Sequence, residues 1–258
     1  MPRLLIIAGS DSSAGAGLQA DLKTAQRFGV YAQTAVTAVT VQDTTGVRAI
    51  QVMTPDIVRG QIEVALNDIG ADAIKIGMLA NEGVAAAVAD ALLEIDIPIV
   101  LDPVLVSTSG SLLLEPAALE ILKLRLLPRA AIVTPNLPES AALVGIHPTD
   151  DHSVHQAAQA FALLGAKHVL FKGGHDVGAT VRDILTDADA PSLVLEAPRQ
   201  ETRHTHGTGC TLSTAIACGL AKGQVLSEAV RHAHAFVQNA IRTAPGLGHG
   251  HGPLNFNS

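Results

Sequence analysis

Short apolar runs alternate with longer amphipathic segments along nearly the whole chain. Runs such as LLIIAG, AIKIG, IPIVLDP and HVLFKGG are brief and rich in β-branched residues, a pattern typical of buried strands. The segments between them carry helix signals, as in TPDIVRGQIEVALNDIG, where Thr54 is the predicted N-cap, Pro55 the first helical residue and Gly70 the terminator. This alternation predicts a mostly parallel central sheet with helices on both faces, which is a three-layer α/β/α fold.

The C-terminal third departs from strict alternation. The segments VRDILTD and LVLEAP predict a pair of strands, and two helices follow them. The chain contains no recognisable linker, internal repeat or low-complexity segment. We therefore expect one domain that spans residues 1–258.

Polar segments follow four of the predicted strands. They are GSDSSAGAG, DPVLVSTSG, TPNLPE and KGGH. In parallel sheets of this type, ligands bind beyond the carboxyl ends of the strands. The four segments therefore predict one shared site at that edge of the sheet.

Composition narrows the classes of partner. The 258 residues are 48% hydrophobic and 2% aromatic, with 17 Lys and Arg against 24 Asp and Glu, a net charge of -7. This balance argues against nucleic-acid binding. Two cysteines do not form a disulfide framework, which favours the cytoplasm. The N-terminal apolar run is too short for a signal peptide, and no run approaches the ~20 residues of a membrane helix, so no membrane partner is expected.

The first glycine loop offers one alternative function. Gly15, Gly17 and Ala20 match the G-x-G-x-x-G/A pattern of dinucleotide-binding folds, which suggests an NAD-dependent oxidoreductase. The residues SDSSA separate the strand from Gly15, however, and no acidic residue ends a second strand at the expected distance. The oxidoreductase therefore stays a minor alternative. The P-loop pattern is absent from the sequence, so a nucleotide would need another binding device.

The segment HGTGC is the best candidate for that device. Gly207, Thr208, Gly209 and Cys210 open a predicted helix, where unpaired backbone N–H groups and the helix dipole favour an anion. The same field predicts a lowered pKa for the Cys210 thiol and a thiolate that acts as nucleophile or general base. The alternative is a small buried residue that packs the start of the helix.

Four further residues carry candidate chemistry, three of them with a structural alternative. In TPNLPE, Asn136 and Glu139 can organise Mg²⁺ and phosphate oxygens through water. A helix cap in which Glu139 reaches back to Asn136 explains the same spacing, and taken alone that interpretation is favoured. Lys172 in FKGGH can balance phosphate charge, or extend its ammonium to solvent. Asp102 follows a buried strand, a position that often carries function in parallel sheets.

Taken together and in order, the motifs resemble a known family. IAGSDSSAGAGLQADLKT, AVTAVTVQDTTGV, KIGML, LDPVLVSTSG, TPNLPE, KGGH and THGTGCTLS resemble the hydroxymethylpyrimidine/phosphomethylpyrimidine kinases of thiamine biosynthesis, in the ribokinase-like superfamily. The resemblance covers nearly the whole chain, through GHGPLN. It implies a ribokinase-like fold and ATP- and Mg²⁺-dependent phosphorylation of 4-amino-5-hydroxymethyl-2-methylpyrimidine, followed by phosphorylation of the monophosphate to the diphosphate.

The resemblance also implies roles for individual residues. The pyrimidine pocket would consist of Gly9, Asp21, Gln42, Met78 and Val104, with Asp21 as acceptor for the ring amine and Gln42 at the ring edge. The phosphate and metal groups would be Asn136, Glu139, Lys172 and Thr205, with Glu139 toward Mg²⁺. The anion hole would be Gly207, Thr208 and Gly209. Cys210 stands where most sugar kinases of the superfamily have an aspartate base, so it would take the hydroxyl proton.

Some alternatives remain open within this resemblance. Ala14 stands where relatives often have glycine, and Thr108 replaces a lysine of some members, which bears on the second phosphorylation. A pyridoxal/pyridoxine kinase of the same superfamily is the nearest alternative function. A regulatory thiamine-pathway binding module without catalysis is a third, which the joint presence of Asp21, Glu139 and Cys210 disfavours. The resemblance also suggests a homodimer.

Overall fold

The computed structural model describes residues 1–106, 110, 112–175, 178–187 and 191–257. Thr108, and with it the expectation about the second phosphorylation, lies outside the described residues. No helix within the described ranges is long and apolar enough to cross a membrane.

Nine strands of the described chain form one sheet in the order β3-β2-β1-β4-β5-β6-β7-β8-β9. Their bounds are β1 (Arg3–Asp11), β2 (Tyr31–Asp43), β3 (Gly46–Val52), β4 (Ala73–Ile76), β5 (Ile99–Leu101), β6 (Ile132–Val133), β7 (Val169–Phe171), β8 (Thr180–Thr186) and β9 (Pro191–Pro198). Neighbouring strands from β2 through β7 pair in parallel, whereas β3, β8 and β9 pair antiparallel. The mostly parallel sheet and the β8–β9 pair are as the sequence predicted.

Eight α-helices of the described chain cover both faces of this sheet. They are α1 (Gly17–Arg27), α2 (Pro55–Asp68), α3 (Glu82–Ala91), α4 (Pro116–Ile121), α5 (Leu137–Val144), α6 (Asp151–Leu163), α7 (Thr208–Ala221) and α8 (Leu226–Arg242). Residues of α2 to α6 belong to the apolar core on one face, and residues of α1, α7 and α8 to the core on the other. The predicted three-layer α/β/α architecture is confirmed.

The strands divide their side chains between these two cores by simple alternation. In β1, Leu5 and Ile7 lie in the core of α2 to α6, while Leu4 and Ile6 lie in the core of α1, α7 and α8. The same alternation in β4 directs Lys75 to the α1 and α7 side, because its neighbours in the strand face the other way. A lysine is thereby buried beneath the start of α7.

The strand order creates the crevice in which a ligand can bind. From β1 the chain continues on one side to β2 and β3, and then crosses to β4 on the other side. Such a reversal leaves an opening between the loops at the carboxyl ends of the two central strands. Strand β3 was not predicted, because its GVRAIQV segment lies at the exposed edge and lacks a buried face.

Candidate active site

A cavity of about 390 Å³ lies at the carboxyl edge of the sheet, beneath the start of α7. Its wall includes β1 near Gly9, Asp102 after β5, Asn136 after β6 and Lys172 after β7. The first turn of α7 completes it. The four polar segments singled out in the sequence therefore meet at one site, as their positions after the strands predicted.

The Asp11 carboxylate shapes the loop that follows β1. It accepts hydrogen bonds from the backbone N–H groups of Ser13 (2.8 Å), Gly15 (3.2 Å) and Ala16 (2.8 Å). Burial by itself would raise the pKa of Asp11, but the hydrogen bonds from His206, Ser13 and Ala16 lower it below its usual value. Asp11 is therefore an ionised anchor that folds the glycine loop back toward the cavity.

His206 joins this loop to the segment before α7. Its Nε2 atom lies 2.8 Å from Oδ2 of Asp11, and both side chains are buried. Gly207 follows with φ of +84°, and a Cβ there would overlap the carbonyl oxygen of Gly15. A Cβ on Gly15 would in turn overlap the His206 ring. Two loops far apart in the sequence thus touch through atoms that only glycine exposes.

The first turn of α7 offers open N–H groups to the cavity. Gly207 is the N-cap and supplies no side chain, while Thr208 Oγ1 donates to the carbonyl of Thr205 (2.7 Å). Within the described part of the chain, the N–H groups of Gly209 and Cys210 have no protein acceptor. Together with the helix dipole they make an anion-binding position.

A buried cluster of one lysine and two carboxylates lies next to this turn. Lys172 Nζ donates to Asp102 Oδ1 (2.9 Å) and lies 3.5 Å from Glu139 Oε2. Burial opposes ionisation of Asp102, but the positive charges of Lys172 and Lys75 lower its pKa below the usual value. Burial raises the pKa of Glu139, and the Lys172 charge only partly offsets this. The site holds lysine charge where phosphate charge would enter.

The TPNLPE segment forms the capping box that its spacing favoured. Glu139 Oε2 accepts from the Asn136 N–H (2.8 Å), and Asn136 Oδ1 accepts from the Glu139 N–H (2.8 Å). Both residues also line the cavity. The capping and functional interpretations are compatible, because the cap holds the Glu139 carboxylate beside Lys172.

Asp21 does not lie in the wall of the cavity. It sits on α1 with no exposed surface, and Lys75 Nζ donates to its Oδ2 (2.8 Å) while Thr214 Oγ1 donates to its Oδ1 (2.7 Å). The carboxylate has no exposed surface and does not line the cavity, so a substrate amine has no access to it. The expectation that Asp21 accepts from the pyrimidine amine is corrected accordingly.

Cys210 lines the cavity, but as a neutral thiol. Burial raises its pKa to about 11, and the Lys75 charge and a hydrogen bond from the Gly17 N–H only partly offset this. The expected lowering of the pKa by the helix start is wrong for this structure, because desolvation of the sulfur outweighs the favourable field. Cys218, further along α7, has no exposed surface, which agrees with a packing role.

Twelve of the thirteen residues to which the family resemblance assigns a role line the cavity, and Asp21 is the exception. Asp102, which the sequence analysis singled out after a buried strand, lines it as well. The twelve are Gly9, Gln42, Met78, Val104, Asn136, Glu139, Lys172, Thr205, Gly207, Thr208, Gly209 and Cys210. The sequence analysis missed Asp11, Lys75 and His206, which also line it. For Lys75 a signal existed, since a lone charge in the otherwise apolar strand AIKI is costly to bury without a purpose.

Comparison with known proteins identifies the family. The model of the phosphomethylpyrimidine kinase family matches residues 11–255. The chain belongs to this family. A hydroxymethylpyrimidine/phosphomethylpyrimidine kinase from Streptomyces coelicolor is 46% identical to it over 254 residues, which make up 98% of this chain and 94% of that protein. The family predicted from the order of the motifs, and the kinase class that it implies, are confirmed.

Solved structures of related kinases share the fold. An ADP complex of pyridoxal kinase from Bacillus subtilis matches the present structure with a TM-score of 0.90 and 34% identity. The match covers 99% of this chain and 97% of that chain. A phosphomethylpyrimidine kinase from Clostridium difficile matches with a TM-score of 0.81 and 37% identity, over 93% and 100%. The ribokinase-like fold is confirmed.

The two glycines that suggested an NAD fingerprint, Gly15 and Gly17, have a structural explanation. A Cβ on Gly15 would overlap the His206 ring, and a Cβ on Gly17 would overlap the Gly9 carbonyl.

The thiol chemistry of Cys210 provides a first test. Only the thiolate reacts with iodoacetamide, and a pKa of about 11 lies above the accessible pH range. We expect slow alkylation at neutral pH and a rise of about tenfold per pH unit between about pH 7.5 and 9.5. Peptide mass spectrometry separates Cys210 from the buried Cys218, which should stay unmodified until the protein unfolds. A rate that levels off below about pH 8 would contradict this and would support the lowered pKa of Cys210 that the sequence predicted.

The contact between the two glycine loops provides a second test. Gly207→Ala adds left-handed strain of about 1–2 kcal/mol and a methyl group that collides with Gly15, so we expect lower stability and loss of kinase activity. Gly223→Ala is the matched control, because Gly223 has φ of +76° with no atom near its Cβ position. Gly223→Ala should lose only the stability that left-handed strain costs, and it should keep its kinase activity. Denaturant unfolding and turnover decide between them, and equal activity of both variants would contradict the role of the contact.

Proposed function

We propose that the chain transfers the γ-phosphoryl group of ATP to the hydroxymethyl group of 4-amino-5-hydroxymethyl-2-methylpyrimidine, and then phosphorylates the monophosphate to the diphosphate. The observation that carries the proposal is the open first turn of α7. Its Gly209 and Cys210 N–H groups point to an anion position in the same cavity as the Lys172 ammonium. Phosphoryl transfer needs such fixed donors and charge more than it needs covalent chemistry.

The two ends of the cavity suit two different ligands. Met78 and Val104 offer apolar contacts to a flat pyrimidine ring, and Gln42 offers an amide to its edge. Lys172 and Thr205 lie with the glycine turn at the phosphate end. The reacting hydroxyl would then lie between the ring and the anion position, next to Cys210.

Magnesium would be held chiefly by phosphate oxygens and water, with Glu139 as the protein's contribution. Glu139 Oε2 is committed to the cap and faces Lys172, which leaves its second oxygen for a hydrated ion. Among the described residues there is no cluster of three or more metal-ligating side chains. This matches the usual binding of Mg²⁺ through one or two carboxylates and substrate phosphates. The ion would neutralise charge on the phosphates.

Cys210 would take the proton that the hydroxymethyl group loses. The O–H bond breaks and an S–H bond forms as the oxygen attacks phosphorus, and the oxygen that bridges to the β-phosphate leaves with ADP. Since the resting thiol is neutral, only its minor thiolate fraction can act in this way. The second phosphorylation starts from an ionised phosphate and needs this base less.

Pyridoxal phosphorylation is the second candidate function. It is favoured by the TM-score of 0.90 to pyridoxal kinases, which exceeds the 0.81 to the phosphomethylpyrimidine kinase. The higher sequence identity of the pyrimidine kinases, 46% for the Streptomyces protein, supports the pyrimidine as main substrate. A homodimer and a cytoplasmic location stay predictions.

An ADP-release assay on three substrates tests the assignment. Wild type should turn over the pyrimidine alcohol and its monophosphate, with pyridoxine weak. Cys210→Ala should lower kcat for the alcohol by about 10²–10⁴-fold, the usual contribution of a general base, and affect the monophosphate much less. Cys218→Ala, in the same helix and away from the cavity, is the control. Equal activity of Cys210→Ala would reduce the cysteine to a packing residue, and turnover of pyridoxine alone would make the chain a pyridoxal kinase.

The magnesium role of Glu139 has its own test. Glu139→Gln keeps an oxygen for the Asn136 N–H and removes the charge, so we expect the cap to persist. We expect the Mg²⁺ requirement to rise about tenfold, the lower end of what an outer-shell partner of a metal contributes. Asp150→Asn is the control, because Asp150 is the exposed N-cap residue of the other capping box, at the start of α6, and does not line the cavity. Activity titrated against Mg²⁺ gives the answer. An unchanged Mg²⁺ requirement in Glu139→Gln would leave Glu139 with the capping role alone.

A further inference from the structure

Two rows of α7 side chains rest on two different buried lysine–aspartate pairs. Residues four apart share one face of a helix, so Gly209 lies above Ser213, and Cys210 above Thr214. Ser213 Oγ donates to Asp102 Oδ2 (3.2 Å), the partner of Lys172. Gly209 and Ser213 therefore lie beside the pair of Lys172 and Asp102, whose lysine is proposed to balance phosphate charge.

The Cys210 row rests on the pair of Lys75 and Asp21. Thr214 Oγ1 donates to Asp21 Oδ1 (2.7 Å), and Lys75 Nζ donates to Asp21 Oδ2 (2.8 Å). Lys75 and Asp21 are both 0% exposed, yet Lys75 lines the cavity together with Cys210. Gly77 makes room for the lysine, because a Cβ there would lie 2.9 Å from Nζ.

Stability does not explain this buried pair. Desolvation of two charges offsets most of their attraction, and apolar residues of similar volume often stabilise a core as well or better. Apolar residues of the adjoining core, among them Ala73, Ala215 and Leu212, come from the same strand as Lys75 and the same helix as Thr214. A lysine buried here, at the wall of the cavity, points to a role in the reaction.

The charges and the hydrogen bond that act on the Cys210 thiol come from four elements. They are the Gly17 N–H and Asp21 of α1, Lys75 of β4, Asp102 after β5 and Lys172 after β7. Lys75 has the largest favourable influence on the thiolate among these groups, while Asp21 and Asp102 oppose it. The Lys75 ammonium, which lines the same cavity as Cys210, is therefore the group that can balance a negative charge on sulfur.

We infer that Lys75 is a positioning residue for the proton transfer at Cys210, with its ammonium held by Asp21 so that it balances the thiolate. This deepens the proposed function and rests on it, because it concerns the base of that reaction. Asp21 fixes the ammonium and tempers its effect by its own charge. The residue first assigned to the substrate amine thereby acts two steps away, through Lys75 and Cys210.

Thiol reactivity tests the inference without any kinase assay. Alkylation of Cys210 by iodoacetamide at about pH 8.5 should slow about tenfold in Lys75→Met, one pKa unit of thiolate fraction, and accelerate in Asp21→Asn. Asp21→Asn is nearly isosteric and keeps one acceptor oxygen, for Thr214 or for Lys75, so it carries the test if Lys75→Met does not fold. Lys222→Met is the matched control, because it removes a lysine charge at the far end of α7, near Cys218.

The outcomes separate the two proposals. The role of Lys75 is supported if the alkylation rate of Cys210 falls in Lys75→Met, rises in Asp21→Asn and is unchanged in Lys222→Met. This holds even if the chain proves to have another substrate. Rates for Lys75→Met and Asp21→Asn within about twofold of wild type overturn it, even if the pyrimidine is phosphorylated. In the kinase assay, Lys75→Met should lower kcat for the alcohol with little change in its KM, and spare the monophosphate. A rise in KM alone would contradict a role in proton transfer.

Discussion

The close approach of two glycine loops is the constraint on which the site depends. The carbonyl of Gly15 occupies the space that a Cβ on Gly207 would need, and the pair of Asp11 and His206 holds the loops together. This contact brings the end of β1, at the start of the chain, against the start of α7 near its end. Without it the helix would not present its open N–H groups to the cavity, and the charges at the other strand ends would have no common target.

The charges around α7 are arranged in two pairs with different tasks. The pair of Lys172 and Asp102 lies beside Gly209, where an anion would bind. The pair of Lys75 and Asp21 belongs to the side of the site where Cys210 would take up a proton. In both pairs the aspartate fixes a lysine within reach of the ligand. The raised pKa values of Glu139 and Cys210 show that burial disfavours further negative charge in the site. The charge of Lys172 at Glu139, and that of Lys75 at Cys210, offsets part of this effect.

The amount that could be predicted from sequence differs from residue to residue. Asn136, Glu139, Lys172 and the HGTGC turn were found because each directly follows a strand or opens a helix, and topology alone brings such positions together. Strand β3 was missed because an exposed edge strand has no apolar face to reveal it. Asp21 was misplaced because it lies within α1, and a helical position does not tell whether a carboxylate meets the ligand or a lysine from another strand.

The layered fold, the family and the strand ends that form the cavity could all be predicted from the amino-acid sequence. These follow from local signals: the periodicity of apolar residues, the glycines at strand ends and the order of motifs. Only the tertiary structure decided that Asp21 pairs with Lys75 and that Cys210 is a neutral thiol. The physical reason is that a pKa or an ion pair depends on burial and on charges from several elements, and these distances exist only once the chain is packed.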